Sequence, residues 1–569
     1  MILNGKGAAP GIAVGRVFVY TKIGFLPQES FVPEGEEQSH LDRYLAVKKE
    51  AFGELEGLKL SMQKHDPQKA DIFTAHQEII EDIVINEEIP SRILNEKWAG
   101  DWAIYQVYET VLLVLQKAAD PLIAERAADF DNVRALLLRL WYGNKNEGLS
   151  SLTEPVIIAA QDLLPSDTAS LDRSKALALL TEKGGLTSHT AIIARSYGIP
   201  TVMGVHGLLD AVKQGQLAVV NADEGEVILD PENEVAAEYR KKYELFSRDR
   251  QDAQTYLSKQ AITADGEKID IGLNISAVTD DELAASANVD SVGLFRTEFL
   301  YIGRDTLPDE EEQISAYKKV LERFGECPVI LRTLDIGGDK QLSCMDLPRE
   351  ENPFLGNRAL RFCFSNPDIF KTQIRAALRA SVYGNMWLMF PMVNSIDDIR
   401  RAKEIIASVK EELEKEGKPF GQFKTGIMIE IPSIALLADF AAQEVDFASI
   451  GSNDLCQYLC AADRMNIEVE PYYQSYHPAM FTLIKKITAV FEKNGKPVSI
   501  CGELASDPLA IPALVGLGLR KLSMGTASVA AAKRALCSLT VKQSQEIAQK
   551  VLECSTAEEV KRILGTINS

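Results

Sequence analysis

No cysteine precedes Cys327, although the chain runs to 569 residues and contains eight. The nearest pair, Cys456 and Cys460, is spaced CxxxC, and no CxxC with a histidine partner occurs, so neither a disulfide framework nor a zinc site is expected. Basic charge is scarce: 61 Lys plus Arg face 82 Asp plus Glu, a formal net charge of -21. A surface of that sign repels phosphate backbones, which speaks against nucleic acid and anionic membranes as general partners. Long apolar runs are missing too. No stretch of about 18 uncharged apolar residues occurs, and residues 1–20 lack the basic-then-apolar order of a secretory signal. A cytoplasmic protein with free thiols and no membrane insertion is expected. There is no low-complexity tract, no internal repeat and no G-x-x-x-x-G-K-[ST] phosphate loop.

What is present suffices for several cores, with 46% hydrophobic residues and a length that suggests roughly three or four domains. Ile12 to Tyr20 (IAVGRVFVY) reads as a β segment with Gly15 at a turn or bulge. From Glu34 to Trp141 the pattern is helical. Leu41, Leu45 and Lys48, or Ile79, Ile80 and Ile83, recur near i, i+3, i+4. The β texture returns after Gly143 in EPVIIAA, ALALLTEKGG and GIPTVMGV. This order predicts an α/β domain (1–24 and 144–230) interrupted by a helical insertion (25–143). Residues 231–260 are dense in charge and poor in apolar positions, as in a solvated linker helix. From Ala261 onward eight short apolar runs alternate with helical patterns: IDIGLNIS, SVGLFRTE, PVILRTLD, MWLMFPMV, KTGIMIEIP, DFASIGSNDL, KPVSICGEL and KLSMG. That count over residues 261–569 predicts a (β/α)8 barrel.

The polar residues of these runs gather at one end. Arg296, Glu298, Arg332, Asp335, Glu430, Asn453, Asp454, Cys501 and Glu503 sit at or just past the C-terminal end of their strand, the face where barrels carry active sites. Arg296, Arg332 and, nearby, Arg464 can each fork onto carboxylate or phosphate oxygens, which suits a small polyanion; alternatively each pairs with a neighbour such as Glu298 or Asp335. Glu430 and Asp454 offer two oxygens from different strands to a hard cation that keeps waters, Mg²⁺ foremost, or else form a hydrogen-bonded pair at the rim. Cys501 is either a packing residue or, as a neutral thiol, a proton donor to a carbanion-like carbon. In LLTEKGGLTSHTAIIARSYGIP a strand runs into Gly184-Gly185 and then a helix whose start lies near His189. Free N–H groups and the positive dipole end favour an arriving phosphate and a neutral, nucleophilic imidazole; the alternative is a histidine that only caps the helix.

The strings GGLTSHTAIIARSYGIP, VGLFRTEFLY, ILRTLDIGGDK, NPFLGNRALR, GIMIEIPS, SIGSNDLCQY and SICGELASD resemble, in order and spacing, the enzyme I family of the phosphoenolpyruvate:sugar phosphotransferase system, over essentially the whole chain. The resemblance implies a swivelling phosphohistidine domain with a helical insertion that docks the phosphocarrier HPr, and a phosphoenolpyruvate-binding barrel that forms a homodimer. It implies that His189 takes the phosphoryl group and Cys501 is the proton donor that completes pyruvate. Arg296, Arg332, Asn453, Asp454 and Arg464 would hold phosphoenolpyruvate, and Glu430 and Asp454 would bind Mg²⁺, with Mn²⁺ a possible substitute. Leu186 stands where the family string is usually GGRTSHT, which removes a phosphate partner, and Leu164 where DLTPSDTA is usual. Lys340 and Arg358 lie in matching strings without an assigned role. Two rivals remain. An ATP-using dikinase would share the histidine segment and barrel, but its nucleotide-binding domain has only the all-helical 34–141 to occupy. A phosphoenolpyruvate sensor without turnover would account for Leu186, yet His189, Glu430, Asp454 and Cys501 are intact.

Overall fold

The computed structural model describes residues 1–569 except 21–26, 64–66, 117–120, 144–148, 150–151, 164–170, 172–173, 185–189, 192–193, 195–197, 303, 305, 338–341, 343, 346, 349 and 567–569. The chain divides into two units, Met1–Ser247 and Arg248–Ser569. Among the described residues no helix is long and apolar enough to cross a membrane.

In the first unit, β1 (Ile2–Asn4), β2 (Lys6–Ala9), β3 (Ile12–Tyr20), β4 (Val156–Ala160), β5 (Ala176–Thr181), β6 (Thr201–Met203), β7 (Leu217–Asn221) and β8 (Glu226–Leu229) form one mixed sheet. Its order is β1-β8-β7-β3-β4-β5-β6-β2. β4 is buried throughout because its side chains alternate between two cores: Ile157 and Ala159 join one, Val156, Ile158 and Ala160 the other. Gly15 does not turn the chain. It pairs in regular register with Ala218, and a Cβ there would come within 2.5 Å of the Leu177 side-chain tip, which would have to shift to admit it. Strands β1, β2, β7 and β8 are not among the runs that stand out in the sequence, although β7 is as long as β4.

Between β3 and β4 lie α1 (Glu37–Gln63), α2 (Pro67–Ile80), α3 (Ile83–Asn95), α4 (Gly100–Gln116) and α5 (Pro121–Trp141). Tyr44, Val47, Ala51 and Leu55 form the buried stripe of α1, and Ile85, Ile89 and Ile93 that of α3. Leu45 and Ile83, which the periodicity had placed on these faces, are exposed at 49% and 73%. The true stripe of α1 is centred on Tyr44, one position back, because an aromatic fills the inter-helix space. Gly100 lets the start of α4 lie against Trp141, whose ring a Cβ would meet at 2.2 Å.

The second unit is a closed parallel barrel: β9 (Asp270–Ile275), β10 (Ser291–Arg296), β11 (Val329–Arg332), β12 (Met386–Phe390), β13 (Lys424–Ile429), β14 (Phe447–Gly451), β15 (Val498–Cys501) and β16 (Lys521–Met524), with β16 pairing back onto β9. Each of the eight apolar runs seen in the sequence supplies one strand. Leu294, Ile330, Trp387, Met389, Met428, Phe447 and Cys501 cluster together within the barrel. The Trp387 and Phe447 rings lie 4.9 Å apart. Phe447→Ala should cost about 3–5 kcal/mol through lost contact and a residual cavity, read as a lower denaturation midpoint for the barrel.

Candidate active site

Parallel strands of a barrel all end on one face, so a residue at a strand's C-terminus converges there with its counterparts. Arg296, Arg332 and Cys501 are the last residues of β10, β11 and β15; Glu430 follows β13 directly; Asn453 and Asp454 open the helix Ser452–Cys460 after β14. All six, together with Arg464, line one cavity of about 200 Å³. That is the size for a small metabolite, below the roughly 300–1,000 Å³ of drug-sized pockets. Helix-dipole partial charge favours the Asp454 carboxylate in the first turn of its helix.

The cavity floor is a buried ion network. Arg332 Nη2 donates to Glu298 Oε1 at 2.7 Å, and its Nη1 lies 3.1 Å from Asp335 Oδ2. Arg358 reaches both oxygens of Asp335, at 3.0 and 3.1 Å, and Asp454 Oδ1 at 3.2 Å. Arg464 Nη1 lies 3.6 Å from the other Asp454 oxygen. Burial opposes the charge of Arg332 and Arg358, but the surrounding carboxylates outweigh it and raise both pKa values. Arg332 therefore pairs with Glu298 and Asp335, as the plainer of its two sequence readings expects, while still facing the cavity. Arg296 differs. Among the described residues it has no carboxylate partner and only a 3.4 Å contact to Ser276 Oγ. Solvent reaches it at the mouth although protein surrounds it elsewhere; that crowding, and the Arg332 cation, push its pKa down. An incoming anion would reverse this.

Sequence reasoning gave Arg358 no role, and the structure makes it the bridge between Asp335 and Asp454. It lies on the long β11–β12 connection, away from any strand end, so the positional rule could not find it. Two glycines complete the site. A Cβ at Gly451 would sit 2.7 Å from Glu430 Oε2, and Gly502 (φ +99°) lies where a Cβ would meet Ser452 Oγ at 2.3 Å. Ser452 Oγ donates to the Cys501 carbonyl at 2.7 Å, and the Glu503 N–H donates to Asn453 Oδ1 at 2.9 Å, which leaves the Asn453 amide N–H groups to donate elsewhere. The Glu503 side chain is exposed.

Glu430 accepts the Met392 N–H at 2.6 Å through Oε1, while its buried Oε2 has no partner among the described residues. Burial first, then repulsion by Asp454 and Asp335, pushes its pKa up to about 8. Four arginines (296, 332, 358 and 464) face four carboxylates (Glu298, Asp335, Glu430 and Asp454) in and beneath the cavity. With Glu430 protonated the set is short of one negative charge, which suits an entering polyanion; a divalent cation on the open Glu430 oxygen and Asp454 would displace that proton and offset the rest of the polyanion's charge. The donor set fits Mg²⁺, which keeps waters and shares phosphate oxygens; no cluster of three or more protein ligands occurs among the described residues. Burial, followed by the Glu430 charge, raises the Cys501 thiol to about 11, so it is neutral at pH 7.

His189, Leu186, Leu164 and Lys340 lie outside the described residues. Next to the first of these, Thr190 is helical and buried and donates its hydroxyl to the Leu163 carbonyl at 2.8 Å.

The raised Glu430 pKa predicts a pH dependence. Between the ordinary 4.5 and about 8 the folded chain holds a proton that the unfolded chain has released, so stability falls as pH rises through this window. Metal-free protein should show a declining barrel unfolding temperature across that range, flattened by Glu430→Gln and restored at the upper end by Mg²⁺.

Three family models match the chain: "PEP-utilising enzyme, N-terminal" over 4–126, "PEP-utilising enzyme, mobile domain" over 152–225 and "PEP-utilising enzyme, PEP-binding domain" over 250–541. The phosphoenolpyruvate-protein phosphotransferase of Staphylococcus carnosus is 39% identical over 98% of this chain and 97% of its own. That of Geobacillus stearothermophilus is 40% identical over 98% of this chain and 96% of its own. Among solved structures, the NMR solution structure of Enzyme I (nEIt) covers 43% of this chain and 99% of its own at 33% identity, with a TM-score of 0.39. With near-complete coverage of both chains at this identity, and a PEP-binding model laid over a barrel whose mouth gathers arginines, carboxylates and a thiol, the chain belongs to the phosphoenolpyruvate-protein phosphotransferases, a family of PEP-utilising enzymes.

Proposed function

We propose that this phosphotransferase takes the phosphoryl group of phosphoenolpyruvate onto His189, releases pyruvate, and passes the group to the carrier HPr as the first step of a sugar phosphotransferase system. The observation that carries the reading is the gathering of Arg296, Arg332, Arg464, Glu430, Asp454 and Cys501 around one small cavity.

Phosphoryl transfer asks for little covalent help and much positioning and charge stabilisation. Arg296, the least paired cation, and Arg464 at the rim engage the phosphate and carboxylate of the substrate. Arg332, locked by Glu298 and Asp335, presents its remaining donor capacity without moving. Asn453 donates through its amide. Glu430 and Asp454 would hold Mg²⁺, which when bound neutralises charge developing on the phosphoryl oxygens. The His189 imidazole attacks phosphorus in line, and Cys501 Sγ–H gives its proton to C3 of the departing enolate. A thiol held neutral by burial suits a donor that must stay protonated until that moment.

The domain reading follows from this division of labour. Residues 1–24 and 144–230 form the phosphohistidine domain, 25–143 the HPr-docking insertion, 231–260 the linker and 261–569 the substrate barrel and homodimerisation domain. The phosphohistidine domain visits the barrel mouth and the carrier in turn, with the 231–260 helix as hinge. The acidic chain suits a basic-faced carrier, and a cytoplasmic location fits that partner.

With radiolabelled phosphoenolpyruvate and Mg²⁺, the protein should acquire acid-labile label that moves to added HPr. His189→Ala should abolish the label while leaving the fold intact; label retained in that variant refutes the assignment. Cys501→Ala should lower kcat by roughly 10²–10⁴ with little change in KM for phosphoenolpyruvate. An unchanged kcat in folded protein would return Cys501 to a packing role.

A further inference from the structure

Once Cys501 has given up its proton it is a buried thiolate beside Glu430, and it must be reprotonated before the next turnover. The residue is only 4% exposed, and the mouth above it holds substrate or product while the thiolate exists. The apolar side chains clustered with it, Leu294, Ile330, Trp387, Met389, Met428 and Phe447, offer no proton path.

The wall built by β14 and β15 is different. Ser449 on β14 is fully buried and its hydroxyl has no hydrogen-bond partner among the described residues, yet it lies near enough to the Cys501 thiol to lower its pKa; the thiol's own contact is the carbonyl of Ile450, the residue after Ser449, at 3.5 Å. Directly opposite Ser449 in the parallel register is Ser499 on β15, buried at 4% exposure and likewise without a hydrogen-bond partner for its hydroxyl. Two unpartnered hydroxyls on facing register positions in a barrel core are costly unless something polar joins them. Ser499 also lines a second, small cavity of about 20 Å³ at the N-terminal end of the barrel, which exceeds the roughly 10–15 Å³ that one water needs. Its other walls include Ser291, Ser523 and Lys521, and the Lys521 side chain is 31% exposed. Gly272 and Gly293 keep this end open; a Cβ on Gly293 would come within 2.2 Å of Ser523 Oγ.

We propose that Ser449 and Ser499 form a rear proton relay that recharges Cys501 from the N-terminal end of the barrel. The inference rests on the reading of Cys501 as proton donor. In the forward reaction the Cys501 S–H bond breaks as the C3–H bond of pyruvate forms. The thiolate then takes the Ser449 Oγ proton, Ser449 takes one from a water held between the two hydroxyls, that water takes the Ser499 proton, and Ser499 is restored by water in the small cavity. One proton passes from solvent to C3 per turnover, and nothing is oxidised or reduced. The serines never touch the substrate and are positioning residues for the proton.

The test is the time course of pyruvate formation by the full-length protein with phosphoenolpyruvate, Mg²⁺ and HPr in excess. In Ser449→Ala the first pyruvate per site should form at the wild-type rate, because Cys501 begins protonated, and later turnovers should slow by roughly tenfold or more. The signature is a burst of one pyruvate per site that the wild type lacks. Ser449→Thr keeps the hydroxyl and should abolish the burst, whereas Ser499→Ala, which perturbs a different strand, should reproduce it. Linear time courses at the wild-type rate in both alanine variants, with Cys501→Ala still slow in its first turnover, would sink the relay and assign reprotonation to the mouth. Equal slowing of first and later turnovers would mark the serines as structural and overturn it too. A wild-type first turnover in Cys501→Ala would instead remove the donor reading on which the relay depends.

Discussion

The placement of Asp335 between two buried arginines is the constraint on which the barrel mouth depends. It is the carboxylate that Arg332 and Arg358 share, and the two guanidinium groups offset the cost of burying it. Glu298 and Asp454 extend the pairing at either end, so the ends of β10, β11 and β14 and the β11–β12 connection are tied together through charge. Such a network contributes little net stability, because desolvation consumes most of the Coulombic gain. Its consequence is geometric: a guanidinium held between two carboxylates does not reorient when a polyanion arrives, so the site is arranged before the substrate binds.

From that framework the remaining groups acquire distinct characters. Arg296 and Arg464, at the rim, are less satisfied by protein than Arg332 and Arg358, and are the cations with most to gain from an anion. Glu430 is held against the Met392 N–H with its second oxygen open and its proton affinity raised, which fits a carboxylate that binds a cation when substrate brings one. Cys501 is kept protonated by the same burial that keeps it out of solvent. A donor insulated from water on its active side needs a supply on another, and the paired, unpartnered hydroxyls of Ser449 and Ser499 are placed to provide it.

The barrel interior thus has two textures with one origin. Apolar side chains of β10 to β14, with Cys501 of β15, interlock around Trp387 and Phe447, whereas Ser291, Ser499 and Ser523, with Gly272 and Gly293, leave hydroxyls and a little space beside Ile330 and Trp387. Close packing in one sector permits looseness in the other, because the strand ladder around the barrel is closed and carries no free edge.

Much of this was legible from the chain. Eight apolar runs alternating with helical patterns specify a parallel barrel because each strand is buried on both faces, and polar residues at strand ends mark the active face because only there can backbone buried in the sheet give way to a side chain in a cavity. Arg296, Arg332, Glu430, Asn453, Asp454 and Cys501 stood out by that rule alone. The rule is silent on residues whose importance is relational. Arg358 lies on a connection, and only folding brings it to Asp335 and Asp454. Ser449 and Ser499 do not stand out in the sequence, since the register that sets them face to face is a property of paired strands and appears in neither strand by itself. Gly15 read as a turn or bulge although it sits in regular register in β3 with the Leu177 side chain of β5 packed over it, and the face of α1 that packs was decided by contacts between helices. Local sequence determined the elements, their order and the chemistry carried at their ends, because those follow from periodicity and residue type. Which charges pair, which oxygen is left open and which hydroxyls share a path were decided by tertiary structure, because each depends on groups distant in sequence meeting at hydrogen-bond range.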